Sequence, residues 1–450
     1  MTARTPTGLG VDAKQRLIQQ ALARRRSEPE QASGATLEQA QQAAQKVPEA
    51  FYRFDQYPGY QHLRVMQQTG ARMGLSSPFF RLHQGTAGAQ TDIAERRYVN
   101  FASYNYLGYS GHAEVAEAAK AAIDRYGTSV SASRPVSGDR PLHRELEREL
   151  AELYQVDDAV VMVSGHATNV TTIGYLFGPR DLVLHDELIH NSVLQGIQLS
   201  GARRLSFAHN DWQALDRLLG EQRQHFERVL VVVEGIYSMD GDYPDLPRFV
   251  ELKRKHKVFL MVDEAHSLGV MGRTGQGIRE HFQLAGDDVD IWMGTLSKTL
   301  ASCGGYIAGC SALVEHLKFF APGFLYSVGM PPSVTAAALA AVRLLKADQG
   351  ERVGQLQARG ELFLRLAIAA GLDTATSTGL AVIPVITGSS FKAGRLSSAL
   401  FERGINAQPI VYPAVPEQAA RVRFFVSCEH SEAQIRETVA IVAEEMARLA

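Results

Sequence analysis

Three residue types that do chemistry together lie in the middle of the chain: an acid, a histidine and a lysine. Asp263 and His266 end or follow the apolar run 258–262, and Lys298 follows a second run, 289–293. Runs of four to eight apolar residues bounded by polar residues or glycine indicate buried strands of a parallel sheet. Ligands of such sheets bind beyond the carboxyl ends of the strands. We therefore expect the three side chains at one edge of one sheet.

Together these groups suit pyridoxal phosphate. A lysine amine forms a Schiff base with its aldehyde, and a carboxylate keeps its pyridine nitrogen protonated, which makes the ring an electron sink. Thr295 and Ser297 flank Lys298 closely enough to hold the phosphate, and His266 is within reach of the phenolic oxygen or of Asp263. Taken singly, an acid at a strand end is commonly a helix cap and a lysine a solvated charge. Only the joint pattern indicates the cofactor.

Further motifs follow other predicted strands. Gly165 and His166 stand between a strand and a helix, where free N–H groups and the helix dipole attract a phosphate. His190, on the next loop, is suited either to stacking on an aromatic cofactor or to an ordinary capping or solvated position. Arg423 suits a bidentate pair with a substrate carboxylate, or else lies on the surface. Arg134 lies in 127–138, a loop of small residues that lets backbone approach a ligand, and we expect it on the substrate side.

Strands and helices alternate through the middle of the chain, which predicts right-handed βαβ units and a mostly parallel sheet of an α/β fold. The predicted strands are 97–101, 159–163, 182–185, 228–234, 258–262, 289–293, 305–308, 381–386 and 422–426. The predicted helices are 113–126, 141–154, 331–346, 355–370, 392–404 and one from 432 onward. We expect a helical extension over 1–50, a segment over 51–100 that packs with the small domain, a large domain over 101–345 and a smaller α+β domain over 346–450.

Composition excludes several classes of function. A net charge of −2 over 450 residues gives no basic surface for nucleic acid and no attraction to anionic membranes. No apolar run approaches the ~20 residues of a membrane span, and the N-terminus lacks the apolar core of a signal peptide. The three cysteines form neither a metal motif nor a disulfide set, so we expect no metal site and a cytoplasmic location.

The first residues differ from the rest. Residues 12–26 predict a short amphipathic helix, 27–34 a polar linker and 35–46 a second segment of high helical propensity. A loosely held arm is one interpretation. The other is a helix that docks on another protein, in particular on a protein that carries a substrate.

From about residue 100 to the C-terminus, the chain resembles the α-oxoamine synthases, which are fold-type I pyridoxal phosphate enzymes. The matching segments are NFASYNYLG, SGHATN, HDELIHNS, YSMDGD, VDEAHSLGVMGRTGQG, GTLSKTLASCGGYIAG, YSVGMPP and ARVRFFVSCEH. The family includes 8-amino-7-oxononanoate synthase, 2-amino-3-ketobutyrate CoA ligase, 5-aminolevulinate synthase and serine palmitoyltransferase. The resemblance implies a large domain with a sheet of the seven-stranded type and a homodimer with active sites at the subunit interface.

The resemblance also implies a role for each candidate residue. By this comparison Lys298 would be the Schiff-base lysine, Asp263 the partner of the pyridine nitrogen and His190 the stacking residue. His266 and Ser238 would lie near the phenolic oxygen, Gly165, His166 and Thr295 would bind the phosphate, and Ser327 would bind it from across the dimer. Arg423 and Asn105 would be the substrate ligands. Many relatives have Tyr or Phe where this chain has His166.

The implied reaction is a Claisen-type condensation of an amino acid with an acyl thioester, usually with loss of CO2, that gives an α-aminoketone. Lys298 would remove the proton from Cα. The alternatives are a fold-type I aminotransferase or lyase, which would share Lys298 and Asp263, and a non-catalytic partner subunit, a class that tends to lack the lysine. The sequence leaves the amino acid and the acyl group open, and the N-terminal extension favours an acyl-carrier protein over coenzyme A as the thioester donor.

Overall fold

The computed structural model describes residues 47–72 and 77–449 of the chain. The predicted helix over 12–26 and the linker after it lie outside these residues. The chain divides into two compact units, Met1–Gly74 and Leu75–Ala450. In the described part of the first unit, two short 3-10 turns precede a single helix, α1 (Pro58–Arg72).

The second unit contains fourteen strands and thirteen helices within the described residues. The strands are β1 (His83–Gln84), β2 (Gln90–Ile93), β3 (Arg96–Asn100), β4 (Asp158–Met162), β5 (Leu182–Asp186), β6 (Arg203–Phe207), β7 (Val229–Glu234), β8 (Phe259–Asp263), β9 (Ile291–Thr295), β10 (Gly305–Gly309), β11 (Val382–Ile386), β12 (Ile405–Asn406), β13 (Gln408–Ile410) and β14 (Arg421–Phe425). The helices are α2 (Ala113–Tyr126), α3 (Pro141–Tyr154), α4 (Gly165–Leu176), α5 (Asn191–Ser200), α6 (Trp212–Gln222), α7 (Leu246–His256), α8 (Ile278–His281), α9 (Ser311–Phe320), α10 (Pro322–Leu325), α11 (Pro332–Ala347), α12 (Glu351–Ala369), α13 (Ser390–Glu402) and α14 (Glu432–Leu449).

A seven-stranded sheet forms the centre of this unit, in the order β4-β10-β9-β8-β7-β5-β6. Neighbouring strands are parallel except for β10, which runs antiparallel to both β4 and β9. Alternate residues of β7 enter two cores, Val231 and Val233 on one face and Leu230 and Val232 on the other. Burial on both faces is the reason that these strands read as continuous apolar runs. The predicted mostly parallel sheet is confirmed.

Two smaller sheets complete the unit, β1-β2-β3-β12 and β11-β14-β13. The pairing of β3 with β12 is parallel and two residues long. It is reinforced by the backbone N–H of Phe101, which donates to Asn406 (2.9 Å), and by a side-chain bond between Asn406 and Asn100 (2.9 Å). Residues 96–101 are therefore anchored to strands near the C-terminus of the chain.

The predicted helices 113–126 and 141–154 have the observed bounds, and the other predicted elements differ from the observed ones by a few residues. Neither β6 nor the β1–β2 hairpin was predicted from the sequence, and the short strands β12 and β13 were not predicted either. Four of the five residues of β6 are at least partly exposed as the last strand of the sheet, and its sequence, RRLSF, lacks an apolar run. Within residues 47–72 and 77–449, no helix has the length and apolar character needed to cross a membrane.

Candidate active site

A cavity of about 260 Å3 lies at the carboxyl ends of β7, β8 and β9. Its lining residues are Ser164, Gly165, His166, Asn169, His190, Ser192, Glu234, Asp263, Ala265, His266, Met293, Thr295, Ser297, Lys298, Cys303 and Gly304. The fold thus brings together most of the predicted site residues, from four loops that are far apart in sequence. Ligand binding at this edge of the sheet is the expected geometry for an α/β fold.

Asp263 is the last residue of β8 and is buried. Its Oδ2 accepts a hydrogen bond from Nδ2 of Asn169, and its Oδ1 accepts one from the backbone N–H of Ala265, both at 2.9 Å. Hydrogen bonds donated to a carboxylate favour its charged form. The cavity therefore has a fixed, stabilised negative charge at the end of its central strand.

A chain of hydrogen bonds connects Asp263 to His190. Asn169 donates its second N–H to Oγ of Ser192 (2.9 Å), and Ser192 Oγ lies 2.7 Å from His190 Nδ1. Because Nδ1 accepts the backbone N–H of Ser192 (3.3 Å), it carries no proton, so the hydroxyl of Ser192 donates to it. The ring proton of a neutral His190 is then on Nε2, and burial lowers the pKa of His190 below its usual value. The chain presents a neutral imidazole of fixed orientation.

Lys298 lies on the loop after β9. Burial lowers the pKa of its amine to about 8, against the opposing effect of the negative charge of Asp263. Removing a charged amine from water disfavours its charged form. The neutral amine, which is the nucleophile in Schiff-base chemistry, is therefore more abundant near neutral pH than for a solvated lysine.

The start of α4 forms a concave seat for an anion. The first N–H groups of a helix have no partner within it, and the N-cap Ser164 accepts only the N–H of Ala167 (3.4 Å). A side chain at Gly165 would stand 2.6 Å from Oγ1 of Thr295, so only glycine allows this close approach. Thr295 and Ser297 bring two hydroxyls, 2.8 Å apart, to the same place. This donor set fits a phosphate.

His266 is oriented by two neighbours. Its Nδ1 lies 2.7 Å from the hydroxyl of Tyr106, and its ring stacks parallel to Phe425, with centroids 6.1 Å apart. Burial lowers the pKa of His266 well below its usual value, an effect strengthened by the positive charge of Lys298. His266 is thus a neutral, rigidly placed ring on the wall of the cavity.

Arg423 is partly buried, with its guanidinium 4.5 Å from the ring centroid of Phe425. Nη1 donates to the backbone carbonyl of Ser238 (2.6 Å), and burial lowers the pKa of this arginine. Within the described part of the chain its Nε has no hydrogen-bond partner. An unpartnered buried donor on a guanidinium suits a carboxylate ligand.

Five predicted residues do not line the cavity: Arg423, Ser238, Arg134, Ser327 and Asn105. The Arg134 side chain is buried in ion pairs with Glu147 and Asp139, and it lines a small separate pocket that also contains Ser327. Asn105 donates through its amide to the carbonyl of Ala87 (2.9 Å). It lines an adjoining cleft of about 420 Å3 rather than the cavity itself.

The sequence analysis assigned no role to Asn169, Ser192 or Glu234. Asn169 lies four residues after Gly165 in α4, one helical turn from the phosphate seat. This spacing brings its side chain to Asp263 at the end of β8. Glu234 ends an apolar run just as Asp263 does, and the same argument from strand ends would have identified it.

The arrangement fits pyridoxal phosphate. Lys298 would hold its aldehyde carbon, Asp263 its ring nitrogen, and the α4 N-terminus with Thr295 and Ser297 its phosphate. His190, as a neutral imidazole, suits the face of an aromatic ring. No group of three or more His, Cys, Asp or Glu side chains within the described ranges is placed to bind a metal.

Comparisons with known proteins agree with this chemistry. Residues 96–442 match the family described as Aminotransferase class I and II. The chain is 39% identical to an 8-amino-7-oxononanoate synthase of Fervidobacterium nodosum over 78% of this chain and 89% of that protein. It is also 39% identical to an 8-amino-7-oxononanoate synthase of Geobacter sulfurreducens, over 80% of this chain and 91% of the relative.

A solved structure has the same fold. It is a serine palmitoyltransferase from S. paucimobilis, a lysine-to-alanine variant with a bound pyridoxal phosphate–myriocin aldimine. The two structures superpose with a TM-score of 0.83 at 27% sequence identity, and the match covers 87% of this chain and 98% of the other.

Proposed function

Because the chain belongs to the α-oxoamine synthases, we propose that the groups around Lys298 act together to join an amino acid to the acyl group of a thioester. The α-oxoamine synthases are pyridoxal phosphate-dependent acyltransferases within the aminotransferase class I and II family. The family description alone also covers aminotransferases. The named relatives favour the synthase, since both are 8-amino-7-oxononanoate synthases.

One observation supports acyl transfer most directly: Lys298 and Ser297 line both the cavity and the adjoining cleft. The cavity contains the groups for the cofactor, and the same lysine also lines the cleft of about 420 Å3. A condensation brings two substrates together at one carbon atom. A lysine shared by the cavity and the cleft suits that requirement.

When bound, the cofactor supplies an electron sink that acidifies the Cα–H bond of the amino acid. Lys298, as a neutral amine, takes the Cα proton and later returns one. Asp263 keeps the ring nitrogen protonated, and His266 and Ser238 act near the phenolic oxygen. Gly165, His166, Thr295 and Ser297 bind the phosphate, and His190 covers the ring.

Substrate contacts are proposed on the remaining sides. Arg423 binds the carboxylate of the amino acid through the face that carries its unpartnered Nε. Asn105, which lines the cleft, contacts the substrate from the acyl side. Arg134 neutralises Glu147 and thereby supports the strand β4 that precedes the phosphate seat, because Glu147 also accepts the backbone N–H of Val161 (3.2 Å).

We propose that two copies of the chain form the active enzyme. Apolar side chains near α9 and α10 are exposed, among them Phe319, Phe320 and Tyr326, the last with 86% of its surface accessible. A cluster of large apolar side chains on a surface commonly marks an interface. Ser327 lies within this segment and would reach the phosphate of the other copy.

The acyl group is proposed to arrive on an acyl-carrier protein that docks on the predicted helix over 12–26.

The three free cysteines suit a reducing compartment, the cytoplasm.

The experiment begins with a spectral titration of the purified full chain by single amino acids, followed by acyl thioesters with measurement of free thiol. One amino acid should shift the cofactor band, and thiol should appear only when a thioester is added. Conversion of the cofactor to its amine form without a thioester would instead establish an aminotransferase. Deletion of residues 1–46 should slow the reaction with a carrier-bound acyl group but not with its coenzyme A ester; equal rates would exclude the docking role.

A further inference from the structure

A second buried acid lies beside Asp263. Glu234 is the last residue of β7, and in the parallel pairing of β7 with β8 it stands directly opposite Asp263. Both side chains are buried, each with 4% of its surface accessible, and both line the cavity. Two carboxyl groups thus occupy neighbouring strand ends next to Lys298.

The two acids have different surroundings. Asp263 accepts hydrogen bonds from Asn169 and from the N–H of Ala265. Oε1 of Glu234 is fully buried and has no hydrogen-bond partner in the described part of the chain. A buried anion needs compensating donors, and only Asp263 has two such bonds.

Like charges on adjacent buried carboxyls do not both persist, because the second ionisation must overcome both burial and repulsion. Burial raises the pKa of Glu234 well above its usual value, and the charges of Asp263 and Asp186 raise it further. Lys298 and the backbone N–H of His190 act in the opposite direction. Tyr237, the other titratable group nearby, is itself uncharged, since burial raises its pKa.

We propose that Glu234 is a neutral carboxylic acid in the working enzyme and that it limits the negative charge beside Lys298 to that of Asp263. With one anion next to the amine instead of two, the ammonium form of Lys298 is less stabilised. The amine is then neutral at a lower pH, and a protonated Glu234 also adds a hydrogen-bond donor to the cavity wall. Glu234 in this way fills the strand end beside Lys298 without adding a second negative charge.

The protonation of Glu234 does not depend on which substrates the protein uses. If the purified protein released no thiol from any thioester, the proposed acyl transfer would be refuted, and the charge of Glu234 could still be measured.

The direct test is infrared spectroscopy of the full chain, with and without pyridoxal phosphate, labelled with 13C at glutamate carboxyl groups. We expect a carboxylic-acid C=O band at neutral pH that shifts with the label and disappears in Glu234→Gln. Glu264 is also buried, and burial raises its pKa to about 7, so Glu264→Gln is the control that identifies its separate contribution. Absence of a Glu234 band at neutral pH in the labelled wild-type protein would overturn the proposal, whether or not the variant folds.

A second readout follows Lys298. In the cofactor-free full chain, the pH dependence of borohydride-trapped pyridoxal at this lysine reports its ionisation. Replacing a neutral acid with a neutral amide changes the charge near Lys298 little, so Glu234→Gln should leave the midpoint pH of this trapping unchanged. Asp263→Asn removes a negative charge and should lower that midpoint. A fall of about one pH unit or more in Glu234→Gln would show that Glu234 was charged.

Discussion

The central sheet has a cavity at each of its two ends, and the larger one contains none of the chemistry. At the amino ends of the parallel strands lies a cavity of about 560 Å3, against about 260 Å3 for the site at the carboxyl ends. The larger cavity is lined mainly by apolar groups such as Phe177, Phe259, Ile291 and Leu313. Its arginine, Arg228, is half exposed and already paired with Asp181 (2.8 Å).

The difference shows that volume does not identify an active site. At the carboxyl ends, an amine, two acids and an imidazole are buried together, and this burial changes the protonation of Lys298, His190 and Glu234. At the amino ends, charged groups such as Arg228 and Asp290 are partly solvated and paired. A functional site in this fold is recognised by buried polar groups on whose protonation burial and neighbouring charges act in opposite directions.

The largest expected effect is that of Lys298→Ala. Removing the amine that forms the covalent bond and moves the proton should lower the turnover rate at least ~10^3-fold. The cofactor should still bind, because Asp263 and the phosphate seat are unchanged, but it should be lost on dialysis more readily. Turnover with assayed thiol release and the absorbance of the bound cofactor are the measurements. Retention of more than a tenth of the activity would show that this lysine is not the reacting group.

Aspartates at the two ends of the sheet offer a matched pair. Asp263→Asn should reduce turnover ~100-fold or more, because a neutral amide cannot keep the ring nitrogen protonated. Asp290 lines the other cavity, where it accepts the backbone N–H of Leu260 (2.8 Å) and pairs with Lys253 (3.0 Å). Asp290→Asn should change turnover less than twofold by the same thiol assay. Equal losses in both variants would remove the distinction between the two ends.

Asn169→Ala tests the hydrogen-bond chain that connects Asp263 with His190. Loss of both donated bonds leaves the buried Oδ2 of Asp263 without its donor and removes one bond of the Ser192 hydroxyl. The cost should be about 1–3 kcal/mol, or roughly 5–150-fold in rate. Asn169→Ser would restore one donor and recover part of the rate. An unchanged turnover rate in the alanine variant would refute the role of this hydrogen-bond chain.

A stability measurement addresses a second polar cluster at the same edge. His209 contacts Asp186 through Nδ1 (2.9 Å) and Asp242 through Nε2 (2.8 Å). Burial alone would lower the pKa of His209, but these two hydrogen bonds outweigh it and raise the pKa to about 10. Its contribution to stability should therefore be complete below about pH 6.5, decline as pH rises and vanish above about pH 10. Urea unfolding of His209→Gln and wild type at pH 6 and pH 10 should show a larger difference at pH 6.

The smallest effect is expected from Phe259→Ala in the larger cavity. Phe259 is 43% exposed and packs edge-on against Phe177, so its removal should lower the free energy of unfolding by only about 1 kcal/mol, less than for a fully buried ring. Turnover should be unaffected. A drop in turnover greater than threefold without a matching loss of stability would assign a functional role to this end of the sheet.

Much of this arrangement followed from local patterns in the sequence. The runs before Asp263 and before Lys298 are buried on both faces, so their apolar character fixed the strands and, with them, the edge at which these residues meet. Gly165 was recognisable because its helix begins directly after a strand. These are short-range signals, and short-range signals are what a single sequence contains.

Other features depend on contacts that no local pattern encodes. Arg134 was expected on the substrate side, yet its guanidinium lies against Glu147, thirteen positions along the chain, because the turn and the next helix place a fully buried carboxylate there. The side-chain amide of Asn169 donates to Ser192 and Asp263, which come 23 and 94 positions later in the chain. Edge strands such as β6 carry too few apolar residues to be detected by their periodicity.

The short pairing of β3 with β12 has a consequence for the order in which the protein is made. Residues 99–101 complete their backbone hydrogen bonds with residues 404–406, which leave the ribosome some three hundred residues later. Contacts of such separation form late, since a long loop must close first. The helices and strands of the central sheet are available to fold during synthesis, whereas Tyr104 and Asn105, just beyond β3, reach their places only when translation is nearly finished. A ribosome stalled before residue 404 would therefore carry a folded sheet with an incomplete wall beside Lys298.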